Sequence, residues 1–229
     1  GQTKTCTVTN NDVAPKLHLR KVVTNNDGGT KSVADFALLA DGTGANDLSG
    51  TSPVDSGPGL KADTWTLSET SVAGYSASAW VCVGGSQSGS SITLALGQEA
   101  TCTITNDDLP AHLVVIKQVV NDNGGTAVSG DFTLDSGGAN DTPDNFAGVA
   151  SPGTTVTLDA GSYAVSESGP AGYTASYSAD CSGTIANGQT KTCTVTNNDV
   201  APKLHLRKVV TNNDGGTKSV ADFALLADG

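Results

Sequence analysis

Runs in which apolar and polar side chains alternate recur along the whole chain, separated by segments rich in Gly, Asn, Asp and Ser. Examples are LHLRKVV at residues 17–23, WTLSE at 65–69 and CTVTN at 193–197. A period of two places every second side chain on the same face of a strand. No segment shows the spacing of an amphipathic helix. The pattern predicts many short β-strands joined by turns, each strand with one apolar face.

Three of the predicted strands carry a polar residue on the apolar face, namely Lys21, Glu69 and Asn106. The same exceptions recur later in the chain, at Lys117, Glu167 and Asn197. A charged group in a core costs free energy unless it is paired or neutralised. Two copies of one exception indicate that the three polar groups share a role.

The chain is built from repeats, because residues 1–42 recur without change as residues 188–229, a period of 187 residues. Each period contains two diverged copies of one module. The predicted units are 1–15 as the last strand of a preceding domain, 16–110 as domain A, 111–201 as domain B, and 202–229 as the first strands of the next domain A. Two sheets packed face to face would bury the apolar strand faces. The predicted fold class is therefore all-β, with tandem Ig-like β-sandwich domains.

Composition excludes several classes of function. The formal net charge is -11 and the pI is about 4.4, which disfavours nucleic acid and anionic lipid as partners. No apolar run reaches the roughly 20 residues of a membrane helix, so membrane insertion of this segment is not expected. No Ser/His/Asp set or phosphate-binding loop is present, and neither an external substrate nor a cofactor is predicted. The segments NNDGGT and NDNGGT are interpreted as hairpin turns rather than calcium loops.

Five cysteines are explained by the repeat. We predict that Cys82 pairs with Cys102 in domain A and Cys181 with Cys193 in domain B. Cys6 is the repeat image of Cys193, and its partner is expected to lie outside the sequence. Neither pair has metal-ligand spacing or a neighbouring histidine, so no metal site is predicted. Disulfides imply an oxidising, extracellular or cell-surface setting.

The polar exceptions have a chemical interpretation. In a dry core a lysine tends to lose its proton and a glutamate to keep one, because desolvation disfavours both charged forms. The neutral amine could then attack the asparagine carboxamide with the glutamic acid as proton carrier, which yields an isopeptide bond and ammonia. The alternative is a lysine that reaches towards solvent, paired with the glutamate and hydrogen-bonded to the asparagine.

These residues resemble the Cna-B or SpaA-type prealbumin-like domains of Gram-positive pilins and surface adhesins. LRKVV, SETSVAGY and TITND follow the family's order in domain A, and VIKQVV, SESGPAGY and TVTNND do so in domain B. The resemblance implies bonds from Lys21 to Asn106 with Glu69, and from Lys117 to Asn197 with Glu167. Asn10 and Lys208 would be half-sets with partners outside the sequence. Domain A lacks the family's proline, and cysteines so near the asparagine depart from the pattern, so disulfides could instead have replaced the isopeptide.

The implied function is structural, as a repeat unit of an extracellular fibre, pilus-like filament or cell-surface stalk. Its partners would be further copies of the repeat, in cis along one chain or in a polymer assembled by strand exchange. The alternative is an adhesin whose modules bind a glycan or protein ligand, with Trp80 as the candidate contact. At most, the chain would catalyse one reaction on itself.

Overall fold

The structure, a computed structural model, describes residues 1–227 and is almost entirely β. Within that range there is no α-helix, and helical turns are limited to four single 3-10 turns, at Val33–Asp35, Ser129–Asp131, Ala179–Cys181 and Val220–Asp222. None of the helices described has the length and apolar character needed to cross a bilayer. The prediction of an all-β chain is confirmed.

The first domain contains ten strands in two sheets. They are β1 (Lys16–Thr24), β2 (Ala37–Asp41), β3 (Leu48–Thr51), β4 (Val54–Asp55), β5 (Asp63–Glu69), β6 (Tyr75–Ala77), β7 (Val81–Val83), β8 (Ser86–Ser88), β9 (Ser91–Leu94) and β10 (Glu99–Asp108). One sheet has the order β4-β1-β10-β6, with β7 also paired to β10, and the other has the order β3-β2-β5-β9-β8. Side chains from both sheets form a single core between them, which includes Leu19, Trp65 and Ile104.

The second domain has the same arrangement, except that the layer facing its main sheet is divided into two smaller sheets. Its strands are β11 (Ala111–Val120), β12 (Thr133–Asp135), β13 (Phe146–Ala147), β14 (Thr154–Leu158), β15 (Gly161–Ala164), β16 (Ser166–Ser168), β17 (Tyr173–Tyr177), β18 (Ser182–Ile185) and β19 (Thr190–Asp199). The main sheet has the order β14-β11-β19-β17, and the facing layer consists of β13-β12-β16 and β15-β18. A separate core contains Leu113, Val156 and Val195.

In both domains the first and last strands are parallel neighbours. β1 pairs with β10 from Lys16 opposite Glu99 to Thr24 opposite Asp107, and β11 pairs with β19 in the same way. Because these paired strands run in one direction, the chain enters each domain at one end of the sandwich and leaves at the other. Consecutive domains therefore follow one another end to end.

The flanking segments form no strands. Residues 1–15 and 202–227 carry no strand assignment and are mostly exposed. That these segments are the end of a preceding domain and the start of the next one remains a prediction. The same holds for the domain boundaries 16–110 and 111–201. The final two residues of the predicted segment 202–229 lie outside the described range.

The glycine-rich segments are not hairpin turns, which corrects the expectation from sequence. NNDGGT follows β1 and leads through the turn Val33–Asp35 to β2, and these strands lie in different sheets. NDNGGT likewise connects β11 to β12 across the sandwich. Turn residues indicate that the chain reverses, but they do not determine whether the flanking strands pair.

Candidate functional site

Two neighbouring strands and one facing strand bring the polar exceptions together in domain A. Lys21 lies opposite Ile104 in the β1–β10 pairing, and Asn106 is two residues further along β10, on the same face. Glu69 ends β5 in the opposite sheet. The alternation that buries Leu19 and Ile104 therefore also directs the lysine and the asparagine inward, towards the glutamate.

The three side chains of domain A are in direct contact. The Nζ atom of Lys21 donates a hydrogen bond to Glu69 Oε2 at 2.5 Å and another to Asn106 Oδ1. The lysine side chain is fully buried, and the glutamate side chain is 8% exposed. The lysine therefore does not reach solvent, and its amine touches both groups that an isopeptide reaction requires.

Domain B contains the same set in a looser arrangement. Lys117 Nζ donates to Asn197 Oδ1 at 2.7 Å and to the carbonyl oxygen of Gln118 at 3.0 Å. It lies 3.4 Å from Glu167 Oε2, a buried atom that forms no hydrogen bond. The lysine side chain is again fully buried. The amine and carboxamide are in contact, whereas the carboxylate is further from the amine than in domain A.

Burial lowers the pKa of both lysines. Desolvation is the main cause for Lys21 and Lys117, and the adjacent Glu69 and Glu167 oppose it by favouring the ammonium. Loss of a proton from either lysine therefore requires less free energy than it would in water. The carboxylate in contact with the Lys21 amine, and therefore the base available to accept its proton, is that of Glu69.

The amine of each lysine lies over the face of an aromatic ring, a feature that was not predicted from the sequence. Lys21 Nζ lies 4.4 Å from the ring centroid of Phe36, and Lys117 Nζ lies 4.3 Å from that of Phe132. Each phenylalanine packs edge-on against a tyrosine, Tyr75 or Tyr173. The available signal was the shared DF(A/T)L segment, which places a phenylalanine 15 residues after each lysine.

The predicted half-sets lie outside the two sandwiches. Asn10 and Lys208 are both exposed. Lys208 Nζ lies 4.5 Å from the ring centroid of Phe223, so the lysine–phenylalanine pair is present even in the incomplete copy. Whether either residue joins a complete set remains a prediction.

Both predicted disulfides are present. Cys82 and Cys102 lie directly opposite each other on β7 and β10, and Cys181 joins Cys193 of β19. Each bond therefore attaches a neighbouring segment to the strand that also carries the asparagine. Cys6 is free and exposed.

The glycine-rich loops hold a carboxylate. The backbone N–H groups of Asn26, Asp27 and Gly29 donate to the side chain of Asp108, at the end of β10. Asp199 accepts the corresponding bonds in domain B. The loop after the first strand is thereby fastened to the end of the last strand, and its amides face an anion rather than a cation.

Comparison with known proteins identifies the type of domain. The model of the prealbumin-like fold domain of the SpaA type matches residues 12–104 and 108–201. No curated protein sequence matches the chain.

Solved structures with similarity include the Bacillus anthracis TIE protein, at 17% identity and a TM-score of 0.45, over 82% of this chain and 34% of that one. The T-13 major pilin of Streptococcus pyogenes is 13% identical, with a TM-score of 0.34 over 83% of this chain and 98% of the pilin. A C-terminal fragment of the pilus adhesin SpaC from Lactobacillus rhamnosus is 17% identical, with a TM-score of 0.41 over 82% and 99%. The chain spans about a third of the TIE protein. Since the family model covers most of the chain in two consecutive matches, the chain belongs to the prealbumin-like fold domain family and contains two such domains in tandem.

Proposed function

We propose that the chain is a segment of an extracellular fibre or cell-surface stalk whose domains are each braced by a Lys–Asn isopeptide bond. The observation that carries the proposal is the recurrence of the buried set, in which Lys21 contacts Glu69 and Asn106, and Lys117 contacts Asn197. The two disulfides support an oxidising location outside the cytoplasm.

The proposed reaction consumes the lysine amine and releases ammonia. Glu69 takes a proton from Lys21, and the neutral amine adds to Cγ of Asn106. The protonated Glu69 then returns that proton to the departing amide nitrogen, so that the original C–N bond breaks and ammonia leaves. The regenerated Glu69 carboxylate takes the second proton from the former lysine nitrogen. The product is a neutral amide, which removes the cost of a buried ammonium.

The position of this bond suits a stalk under tension. Force enters through the linker before β1 and leaves through the linker after β10, at opposite ends of the domain. A link from Lys21 to Asn106 would pass the force directly between these strands. The intervening chain would remain folded because it would not lie on the path of the force.

Intact mass of the non-reduced chain tests the bonds. We expect the mass to fall below that of the sequence by two molecules of ammonia, in addition to four hydrogens for the two disulfides. One of these two ammonia losses should be absent in Asn106→Ala, and it should also be absent in Glu69→Gln, although that variant keeps Asn106. Asn140→Ala, an exposed amide of domain B, is the matched control. If the wild-type mass showed no loss of ammonia, the site would be a buried ion pair without an isopeptide bond.

The polymer proposal has its own test. Native fibres that consist of one continuous chain should remain very large on denaturing electrophoresis, whereas strand-exchanged subunits should separate into single chains.

The adhesin alternative loses its candidate contact, because Trp80 is only 7% exposed and belongs to the core of domain A.

A further inference from the structure

The joint between the two domains is a specific contact, built largely from one amide side chain. Asn187, in the turn before β19, donates to the carbonyl oxygens of Asp27 and Leu109 at 2.9 and 3.1 Å, and to Asp108 Oδ2 at 3.2 Å. The backbone N–H of Ala160 also donates to the Asp27 carbonyl at 2.9 Å. The end of domain A is therefore docked onto the start of domain B.

Two glycines at the end of domain A lie directly under this contact. A Cβ atom at Gly28 would come within 2.4 Å of the Ala160 carbonyl oxygen, and one at Gly74 would come within 2.8 Å of Asn187 Cβ. The equivalent glycines at the end of domain B are Gly124 and Gly172, and a Cβ atom at either would meet nothing within 4 Å. The end of domain B therefore has the same form as the end of domain A, without a neighbour on it.

The start of domain A shows the complementary half of the same joint. Gly97 donates its N–H to the carbonyl oxygen of Val13 at 2.7 Å, as Gly188 donates to that of Leu109 at 3.1 Å. The linker that precedes domain A thus already lies in the position that the A–B linker adopts. The residues that would face a preceding domain are uncovered, and Leu96, which replaces Asn187 in the aligned turn, is 55% exposed.

The free face at the end of domain B and the free face at the start of domain A are chemically compatible. In domain A the carboxylate of Asp108 takes a hydrogen bond from Asn187 of the next domain. In domain B the carboxylate of the equivalent Asp199 receives a bond from within its own domain, because the side chain of Asn123, at the position of Asp27, donates to Asp199 Oδ1 at 3.4 Å. The Asp199 carboxylate therefore needs no external amide. A leucine at position 96 fits opposite it.

We infer that the face of domain A formed by Val13, Ala62 and Leu96 is a docking surface for the end of domain B of the preceding repeat. The occupant is in cis, because residues 1–12 are identical to 188–199, which include β19. The array then alternates two joints, a hydrogen-bonded joint after domain A and an apolar joint after domain B. Both joints fix the orientation of neighbouring domains.

The test extends the full chain by placing residues 111–187 before Gly1, which completes a domain B from sequence that the chain already contains. Ala62 is exposed and is the counterpart of Ala160, whose N–H bonds across the existing joint. We expect amide hydrogen exchange at Ala62 to slow about tenfold or more in the extended chain relative to the original chain. Equal exchange rates in the two chains would overturn the inference.

Two variants of the extended chain separate docking from a general change in stability. Leu96→Asp should return the Ala62 exchange rate to that of the original chain, because a charge would be buried against domain B. Leu39→Asp, on an exposed position of β2, is the control and should leave the slow exchange intact. Persistent slow exchange in the Leu96→Asp variant would also contradict the inference. Intact mass of the same samples reports the isopeptide bonds independently, so the two proposals can fail separately.

Discussion

At the scale of single residues, the central feature is an amine that is buried with only a few polar contacts. Lys21 has a carboxylate, a carboxamide and the face of Phe36 around its Nζ atom. In a buried ion pair of this kind the desolvation cost can exceed the Coulombic gain. Conversion to an amide would remove that cost, and the titration of Lys21 distinguishes the two states.

The first prediction uses Asn106→Ala, which leaves Lys21 no carboxamide to attack. Burial keeps the pKa of Lys21 in the folded variant below 10.5. The unfolded chain then binds more protons than the folded chain between the lowered pKa and 10.5, so the free energy of unfolding should rise as pH increases through that window. Denaturant titrations at several pH values measure this slope. The wild type, if its lysine is an amide, should lack that component, and an identical slope in both proteins would count against the bond.

At the scale of elements, the last strand of each domain is the one to which most other features are attached. β10 pairs with the first strand, carries Asn106 and is joined to β7 by the Cys82–Cys102 disulfide. In domain B the disulfide spans 12 residues rather than 20. Both bonds close short loops, so each should stabilise its domain by restricting the unfolded chain.

The second prediction follows from these loops. Replacing Cys82 and Cys102 together by alanine should lower the free energy of unfolding of domain A by about 3 kcal/mol. Denaturant unfolding of the full chain under non-reducing conditions provides the measurement. Cys6→Ser removes a free, exposed thiol and is the matched control, for which no change is expected. Equal stability of the double variant and the control would mean that the disulfide contributes nothing beyond the strand pairing.

The third prediction concerns the loop that fastens the end of β19. Burial raises the pKa of Asp199, but the backbone N–H groups of Gly125, Asn123 and Asp122 outweigh it, and the net pKa lies below 3.8. The ionised carboxylate therefore stabilises the folded domain at pH values above 3.8, the ordinary pKa of an aspartate, and this stabilisation is lost as the pH falls through the lowered pKa. Asp199→Asn should therefore reduce stability at neutral pH and flatten the acid limb of the stability curve. An unchanged acid limb would show that the carboxylate is not held by these amides.

The inward-facing residues of the site could be predicted from the sequence, whereas the ring and the loop that surround them could not. Strand alternation is local, so the inward direction of Lys21 and Asn106 could be read from the residues two positions away. The ring of Phe36 and the loop around Asp108 depend on which distant segments meet across the sandwich. The loop NNDGGT was misjudged because its composition is the same for a hairpin and for a connection between sheets.

At the scale of the whole molecule, the two domains have separate apolar cores and are joined by polar contacts. Asn187 supplies three of the hydrogen bonds across the A–B joint. A rod of domains transmits force and holds its length only if such joints are fixed. The orientation of domain B on domain A therefore depends on this side chain.

The fourth prediction is that Asn187→Ala releases the joint without affecting the domains. Each lost hydrogen bond contributes about 1 kcal/mol, so docking should weaken by about 3 kcal/mol if all three act independently. Residual dipolar couplings measure the result, because two docked domains share one alignment tensor whereas two loosely linked domains do not. The wild type and the control Asn198→Ala, an exposed position of β19 at the other end of domain B, should each fit a single tensor, and Asn187→Ala should require two. The melting of each domain should stay the same, since Asn187 lies in a turn and belongs to neither core. A single tensor in the Asn187→Ala variant would mean that the backbone bonds of Ala160 and Gly188 are enough to orient the domains.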